Sequence, residues 1–178
     1  MTETCICTWK RGYTGLTKLT YLDGTVKNIQ LTDDTCIRFT NPDFVSDVPN
    51  NMGHRYQRGD LNLNQLIEGE YPMITTMGGK NGEMQITNVD KSQYTCCVNQ
   101  HGVVMNSKYG GQGFGQIRIN PYDHAISGST VIIKTSSEEE SHKLADYLRS
   151  DEVHQMVLKN RIVNTNSKEL FRTIPDIL

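Results

Sequence analysis

The chain has 178 residues, a formal net charge of −2, and 36% hydrophobic and 21% charged residues. That length buries a real core without disulfide staples, and the composition excludes both a disordered tail and a membrane protein. The slightly acidic balance argues against a globally basic, nonspecific nucleic-acid binder, while allowing a local basic face.

No apolar run approaches the roughly 20 residues of a membrane-spanning helix. Residues 1–12 lack a charged segment followed by an apolar one, so no signal peptide is expected and the chain reads as cytoplasmic. The five cysteines (Cys5, Cys7, Cys36, Cys96 and Cys97) are odd in number and form no CxxC. They read as reduced thiols rather than a disulfide framework or a metal site. Cys96 and Cys97 are expected to point to opposite faces of a strand.

Residues 5–39 read as strands. The runs 19–22 and 26–31 flank Asp23-Gly24, a pair that predicts a two-residue hairpin. A third strand is expected at 35–39. Lys10 and Arg11 flank Trp9, as a solvated edge or as a phosphate contact. Residues 40–67 read as irregular, broken by Pro42, Pro49, Gly53 and Gly59. Within them, His54, Arg55, Tyr56 and Arg58 form a basic–aromatic cluster that suits phosphate contact or base stacking, or equally an exposed loop.

The stretch 68–119 holds nine of the fifteen glycines. Gly78, Gly79 and Gly82 mark one polar turn, Gly102 a second, and Gly110, Gly111, Gly113 and Gly115 a third. Between them lie the short apolar runs 72–74, 96–98 and 103–105. Strands punctuated by glycine loops predict a β platform that presents adaptable loops, and such loops commonly carry binding residues. A buried strand is expected at 129–135. Ser136 or Ser137 should cap a helix that opens with Glu138, Glu139 and Glu140, acids that favour a helix N-terminus. Leu144, Ala145, Tyr147 and Leu148 form its apolar face. A second helix starts near Ser150 or Asp151 with Val153, Met156, Val157 and Leu158 as its stripe, and Ser167 caps a short turn before Pro175. Strands first and helices last give an α+β fold: a curved mixed β-sheet platform with glycine-rich loops and two to three helices at the C-terminal end. Residues 1–65 read as a β-rich N-terminal extension and 66–178 as the platform proper.

The search for catalytic groups is largely negative. Asn41-Pro42-Asp43-Phe44 and Asn120-Pro121-Tyr122 resemble the amino-methyltransferase motif but lack its second proline. The glycines at 110–115 are not followed by a helix, so they make a poor nucleotide fingerprint. Asp60 and Glu83 are weak candidates for a metal-dependent nuclease, and no acid-x-Lys pair completes the pattern. The five histidines show no metal-ligand spacing. The sequence therefore predicts no catalytic residue, no metal and no cofactor.

Gly69-Glu70-Tyr71-Pro72-Met73-Ile74-Thr75 followed by Lys80-Asn81-Gly82 resembles the opening of target-recognition domains. These are the DNA-specificity domains of type I restriction–modification subunits and of type IIG enzymes, which fuse methylation and specificity. Val98-Asn99-Gln100-His101-Gly102-Val103-Val104-Met105 resembles that family's next strand and turn. Ala145-Asp146-Tyr147-Leu148-Arg149-Ser150 resembles one of its helices, and Lys168-Glu169-Leu170-Phe171-Arg172-Thr173-Ile174-Pro175 its closing segment. The ordered set spans 66–175, and residues 1–65 have no counterpart. The resemblance implies a curved sheet with helices on one side and duplex DNA as the ligand. It also implies a noncatalytic role beside a methyltransferase or nuclease subunit.

The residue chemistry agrees. Sequence readout needs donors and acceptors that reach base edges, with cations that fix register on phosphates. Thr75, Thr76, Lys80, Asn81 and Gln85 supply such groups around one loop. Asn99, Gln100, Asn106, Ser107, Lys108, Tyr109 and Gln112 supply them around the next two. The candidate DNA-binding residues are Arg55, Arg58, Thr76, Lys80, Asn81, Lys108, Tyr109, Gln112, Lys159 and Arg161. Two other readings use the same sequence: a small restriction-type nuclease on the same scaffold, and a protein-binding module of a phage or mobile element.

Overall fold

The structure is a computed structural model that describes residues 14–21, 24–30, 48–78, 82–108, 113–160 and 165–178. The chain divides into two compact units, Met1–Ser46 and Asp47–Leu178. The fold is α+β, with mixed sheets and three helices near the C-terminal end.

In the first unit, β1 (Thr17–Thr20) and β2 (Val26–Ile29) pair antiparallel, Thr20 opposite Val26. The connection differs from the two-residue turn expected from Asp23-Gly24. Tyr21 N–H donates to the Thr25 carbonyl and Gly24 N–H to the Tyr21 carbonyl, so three residues separate the last bonded pair. Gly24 has φ +85°, the left-handed residue that closes this longer loop. The strand expected at 35–39, and Trp9, Lys10 and Arg11, lie outside the described residues.

In the second unit, the strands form two sheets. After a 3-10 turn at Met52–His54 comes β3 (Tyr56–Arg58), then β4 (Glu68–Gly78), β5 (Glu83–Val89) and β6 (Gly102–Asn106). The short β7 (Arg118–Ile119) and β8 (Ala125–Ile126) precede β9 (Thr130–Lys134). One sheet has the order β3-β9-β6-β7, all antiparallel; the other has β5-β4-β8, with β4 and β8 parallel. The stretch 40–67, read as irregular, thus contributes β3, which pairs Tyr56 with Ile133. That pairing spans more than seventy positions, so no local signal announces it.

The four-stranded sheet is a middle layer. Val103 and Met105 of β6, with Val131 and Ile133 of β9, pack against the helices. The intervening Val104 and Ile132 pack against Ile74, Met77 and Ile126 of the other sheet. Burial on both faces is why these strands are apolar throughout rather than alternating.

The helices are α1 (Glu138–Leu148), α2 (Asp151–Asn160) and α3 (Lys168–Phe171). Ser137 caps α1, its Oγ accepting the Glu140 N–H, while the Glu140 carboxylate reaches back to the Ser136 N–H at 2.8 Å. Two otherwise orphaned donors are satisfied reciprocally, a capping box displaced by one residue. Val153 and Val157 of α2 are buried, but Leu158, expected in the stripe, is 44% exposed; Asn160 is buried instead. Phe171 stacks on Phe114 with ring centroids 4.9 Å apart and anchors α3 in the core.

Two further expectations change. Gly102 opens β6 rather than sitting in a loop, and a Cβ there would press on the Ile133 carbonyl and the Ile132 side chain. Cys96–Val98 is a turn, not a strand. Cys97 has φ +64° and Asn99 φ +55°, left-handed conformations that extended pairing does not allow.

Candidate nucleic-acid interface

Three segments carry half of the ten candidate residues: 79–81, 109–112 and 161–164. All three lie outside the described residues, so Lys80, Asn81, Tyr109, Gln112 and Arg161 have no described placement. Their flanking residues are described, and these converge.

The first two stems are joined by the Asn106 side chain. Its Oδ1 accepts the Met77 N–H at 2.7 Å and the Thr76 hydroxyl at 3.0 Å, and its Nδ2 donates to the Met77 carbonyl at 2.7 Å. A side-chain amide thus imitates a strand's backbone and stitches the end of β6 to the end of β4. Gly82, at the start of the β5 side of the hairpin, has φ +63°. A Cβ there would collide with the Gln116 side chain, which lies beyond the second segment.

The second and third stems are joined by Asn166, a buried residue. Its Nδ2 donates to the carbonyls of Asn106 at 2.7 Å and Phe114 at 3.0 Å, and its N–H donates to the Ser107 carbonyl at 2.8 Å. Lys108 and Thr165 form an antiparallel bridge alongside. Gly113, with φ +76°, leaves room for His154 of α2; a Cβ at Gly113 would stand 3.0 Å from His154 Nδ1. One asparagine network therefore brings the roots of three loops to one edge of the second unit.

Charge is distributed unevenly along the chain in the same sense. The spans 71–82, 91–122 and 153–168 contain Lys80, Lys91, Lys108, Arg118, Lys159, Arg161 and Lys168, and no aspartate or glutamate. The twenty acids all fall elsewhere, and an acid borders each span at both ends: Glu70 and Glu83, Asp90 and Asp123, Glu152 and Glu169. A molecule of net negative charge thus keeps its loop-bearing segments cationic or neutral.

The described candidates have distinct surroundings. Lys108 and Lys159 are exposed, at the root of the second loop and near the end of α2. Thr76 is half-buried, its hydroxyl donating to Asn106. Arg55 is tied elsewhere: its Nε donates to Asp176 Oδ2 at 2.5 Å and its Nη1 to the Lys134 carbonyl at 3.4 Å. His54 Nε2 lies 3.2 Å from the same Asp176 oxygen. Tyr56 turns inward beside Phe171, centroids 5.7 Å apart, and burial pushes its hydroxyl pKa up against the opposing charge of Arg58. Arg58 is exposed and donates from Nε to the Gly128 carbonyl at 2.9 Å. The basic–aromatic cluster at 54–58 therefore does not act as one set. Tyr56 packs inward on Phe171, Arg58 stays exposed at the Gly128 carbonyl, and Asp176 holds His54 and Arg55.

Arg58 also lines a cleft of about 630 Å³ with Asp60, Asn62, Asn64 and Ser129. This cleft pairs one cation with one anion and is polar without being basic. Among the described residues, no three of His, Cys, Asp and Glu come together as metal ligands, and no helix is long and apolar enough to cross a membrane.

In the sequence Asn166 reads as part of a basic-polar run, 159–166, suited to a phosphate, and Asn106 as a base-reading group; both instead bond backbone, which residue type does not distinguish from a contact with ligand. No protein-family model matches the chain, and no curated protein sequence matches it.

Proposed function

We propose that the chain is a sequence-specific duplex-DNA recognition domain without catalysis of its own, the specificity component of a restriction–modification or methyltransferase system. The observation that carries the reading is the convergence of three loop stems, clamped by Asn106 and Asn166, whose loops and borders carry Lys80, Lys108, Lys159 and Arg161 in the sequence, with Glu83 the acid beside the first. A rigid root with adaptable loops suits base readout, which needs groups held in register yet able to follow a groove.

In this reading Lys80, Asn81, Lys108 and Gln112 approach base edges, a lysine suiting guanine and an amide suiting adenine. Lys159 and Arg161 hold phosphates, and Thr76 and Tyr109 flank the contact. Arg58 is a further phosphate contact on the neighbouring cleft. Arg55 is left out, because Asp176 already occupies its guanidinium. The partner is a methyltransferase or nuclease subunit that supplies the chemistry.

Selection from random duplexes tests the proposal. At about 50–100 mM salt, repeated gel-shift rounds are expected to enrich one sequence, with the chain alone or with its partner subunit. Binding that enriches nothing would overturn sequence recognition, and no binding at all would overturn the DNA reading.

A further inference from the structure

A second site does not depend on the DNA reading. Cys96 and Cys97 are neighbours in the turn that leads to β6. On extended backbone, adjacent side chains diverge to opposite faces. Here the left-handed φ of +64° at Cys97 turns the second side chain back, and the two sulfurs stand 3.5 Å apart. Such a conformation is uncommon for a non-glycine residue and is held only where its surroundings fix it.

The surroundings do fix it. The Cys96 carbonyl accepts the Ile126 N–H at 3.1 Å. The Cys96 side chain is packed beside Ile74, Met77, Val104 and Ile126, while Cys97 is half-buried and open to small reagents. Gln57 Nε2 donates to Cys96 Sγ at 3.4 Å. Either thiol of the Sγ–Sγ contact can donate, and a protonated Cys96 donates to the Arg58 carbonyl at 3.8 Å. With Cys97 as the donor, two donors meet at the Cys96 sulfur and favour its thiolate. The Cys97 contact, ahead of the opposing effects of burial and Asp60, holds the Cys96 pKa down to about 7, with Gln57 and Lys134 acting in the same direction. Cys97 moves the other way, because its proton is held in the bond to Cys96 and because it is buried. The pair therefore has a nucleophile and a partner thiol in contact.

We propose that Cys96 and Cys97 form a vicinal dithiol that a hydroperoxide converts reversibly to a disulfide within the turn. The Cys96 thiolate attacks one oxygen of hydrogen peroxide. An S–O bond forms, the O–O bond breaks, and the departing hydroxide takes a proton to become water. The Cys97 sulfur then attacks the Cys96 sulfenic acid. The S–S bond forms, the S–O bond breaks, and the oxygen leaves as a second water with the Cys97 proton. Two thiols lose two electrons and two protons, and the peroxide is reduced to two waters. Adjacent Cα atoms are about 3.8 Å apart, closer than the roughly 4.4–6.8 Å that disulfides ordinarily span. The eight-membered ring is therefore strained, and a dithiol reductant reopens it readily, as befits a switch rather than a staple.

The full chain carries its own comparators in Cys5, Cys7 and Cys36, and the tryptic peptide 92–108 contains both Cys96 and Cys97 and no other cysteine. Reduced protein is treated with hydrogen peroxide, alkylated with N-ethylmaleimide, digested and mapped by mass. The expected result is a 92–108 peptide that has lost two hydrogens and resists alkylation, with dithiothreitol restoring two labelled thiols. In Cys97→Ser, whose hydroxyl keeps a donor beside Cys96, peroxide should leave a sulfenic acid that dimedone traps. In Cys96→Ser, Cys97 should alkylate at neutral pH at least about tenfold more slowly than Cys96 does in Cys97→Ser, both variants being folded by circular dichroism. The proposal is overturned if both thiols of 92–108 remain alkylatable after peroxide. It is also overturned if Cys96 is recovered joined to Cys5, Cys7, Cys36 or a second chain.

Discussion

The Asn106 carboxamide is the point at which fold and proposed site meet, and Asn106→Ala tests whether it is a clamp or a reader. The substitution removes three hydrogen bonds: those to the Met77 N–H and carbonyl, at 2.7 Å each, and that from Thr76, at 3.0 Å. Met77 is only 4% exposed, so its two backbone groups are left with little access to water. An orphaned buried group costs about 1–3 kcal/mol. Asn106 is half-buried, so solvent entering its vacated space softens both losses, and a total of about 2–4 kcal/mol is expected. For a chain of this size that lowers the Tm by roughly 5–15 °C. Asn106→Asp should cost as much, since a carboxylate keeps the acceptor but faces the Met77 carbonyl with no proton to give. Asn88→Ala, on the exposed face of β5, serves as the control and should stay within about 0.5 kcal/mol. Urea and thermal unfolding followed by circular dichroism provide the comparison. If Asn106→Ala unfolds within about 0.5 kcal/mol of the parent and yet loses DNA binding, Asn106 reads bases and the clamp is refuted.

Other consequences follow from the same geometry. Lys159→Ala should weaken binding to all duplexes alike and flatten the plot of log K against log salt by about 0.9, the signature of one lost phosphate contact. Lys108→Ala should instead cost about 1–3 kcal/mol on the selected sequence and little on others, measured by fluorescence anisotropy with both duplexes. Gly59→Ala places a Cβ against the backbone carbonyls of Ser127 and Ile126, which cannot swing aside, and should destabilise by about 1–3 kcal/mol in urea unfolding. Glu140 is held below its ordinary pKa of 4.5, chiefly by the Ser136 hydroxyl and then by the Ser136 N–H. A depressed carboxylate contributes stability that is present above its unfolded pKa and lost as pH falls through the folded one. Protection factors at the start of α1, corrected for intrinsic exchange, should therefore fall below about pH 4.5 in the parent, and Glu140→Gln should remove that pH step.

The sequence disclosed most where the physics is local. Ser137 and the three glutamates marked the start of α1, because caps and helix dipoles act within one turn. The stretch 129–135 announced a buried strand and 103–105 a short apolar one, and β9 and β6 are buried there on both faces. Reading failed where a distant partner decides. Tyr56 reads as surface-aromatic until β9 pairs with it, and Arg55 reads as a free cation until Asp176, 121 positions later, takes its Nε. Cys96–Val98 looked like a strand because its residues are apolar, yet two left-handed residues turn the chain there, and φ leaves no trace in composition. At the candidate site, the glycines and lysines were legible as loops and charges. The asparagines that hold the loop roots were not, since an amide bonded to backbone and an amide awaiting a base are the same residue type.

A footprint by hydrogen exchange, taken with and without the selected duplex, tests the central claim most directly. The account predicts that bound DNA slows exchange at three separated stretches together, around 76–83, 106–116 and 159–167, with the exposed strand β5 beyond Glu83 little changed. Protection confined to one of the three, or centred on the cleft beside Asp60 or on β5, would contradict a single edge built from three clamped loops.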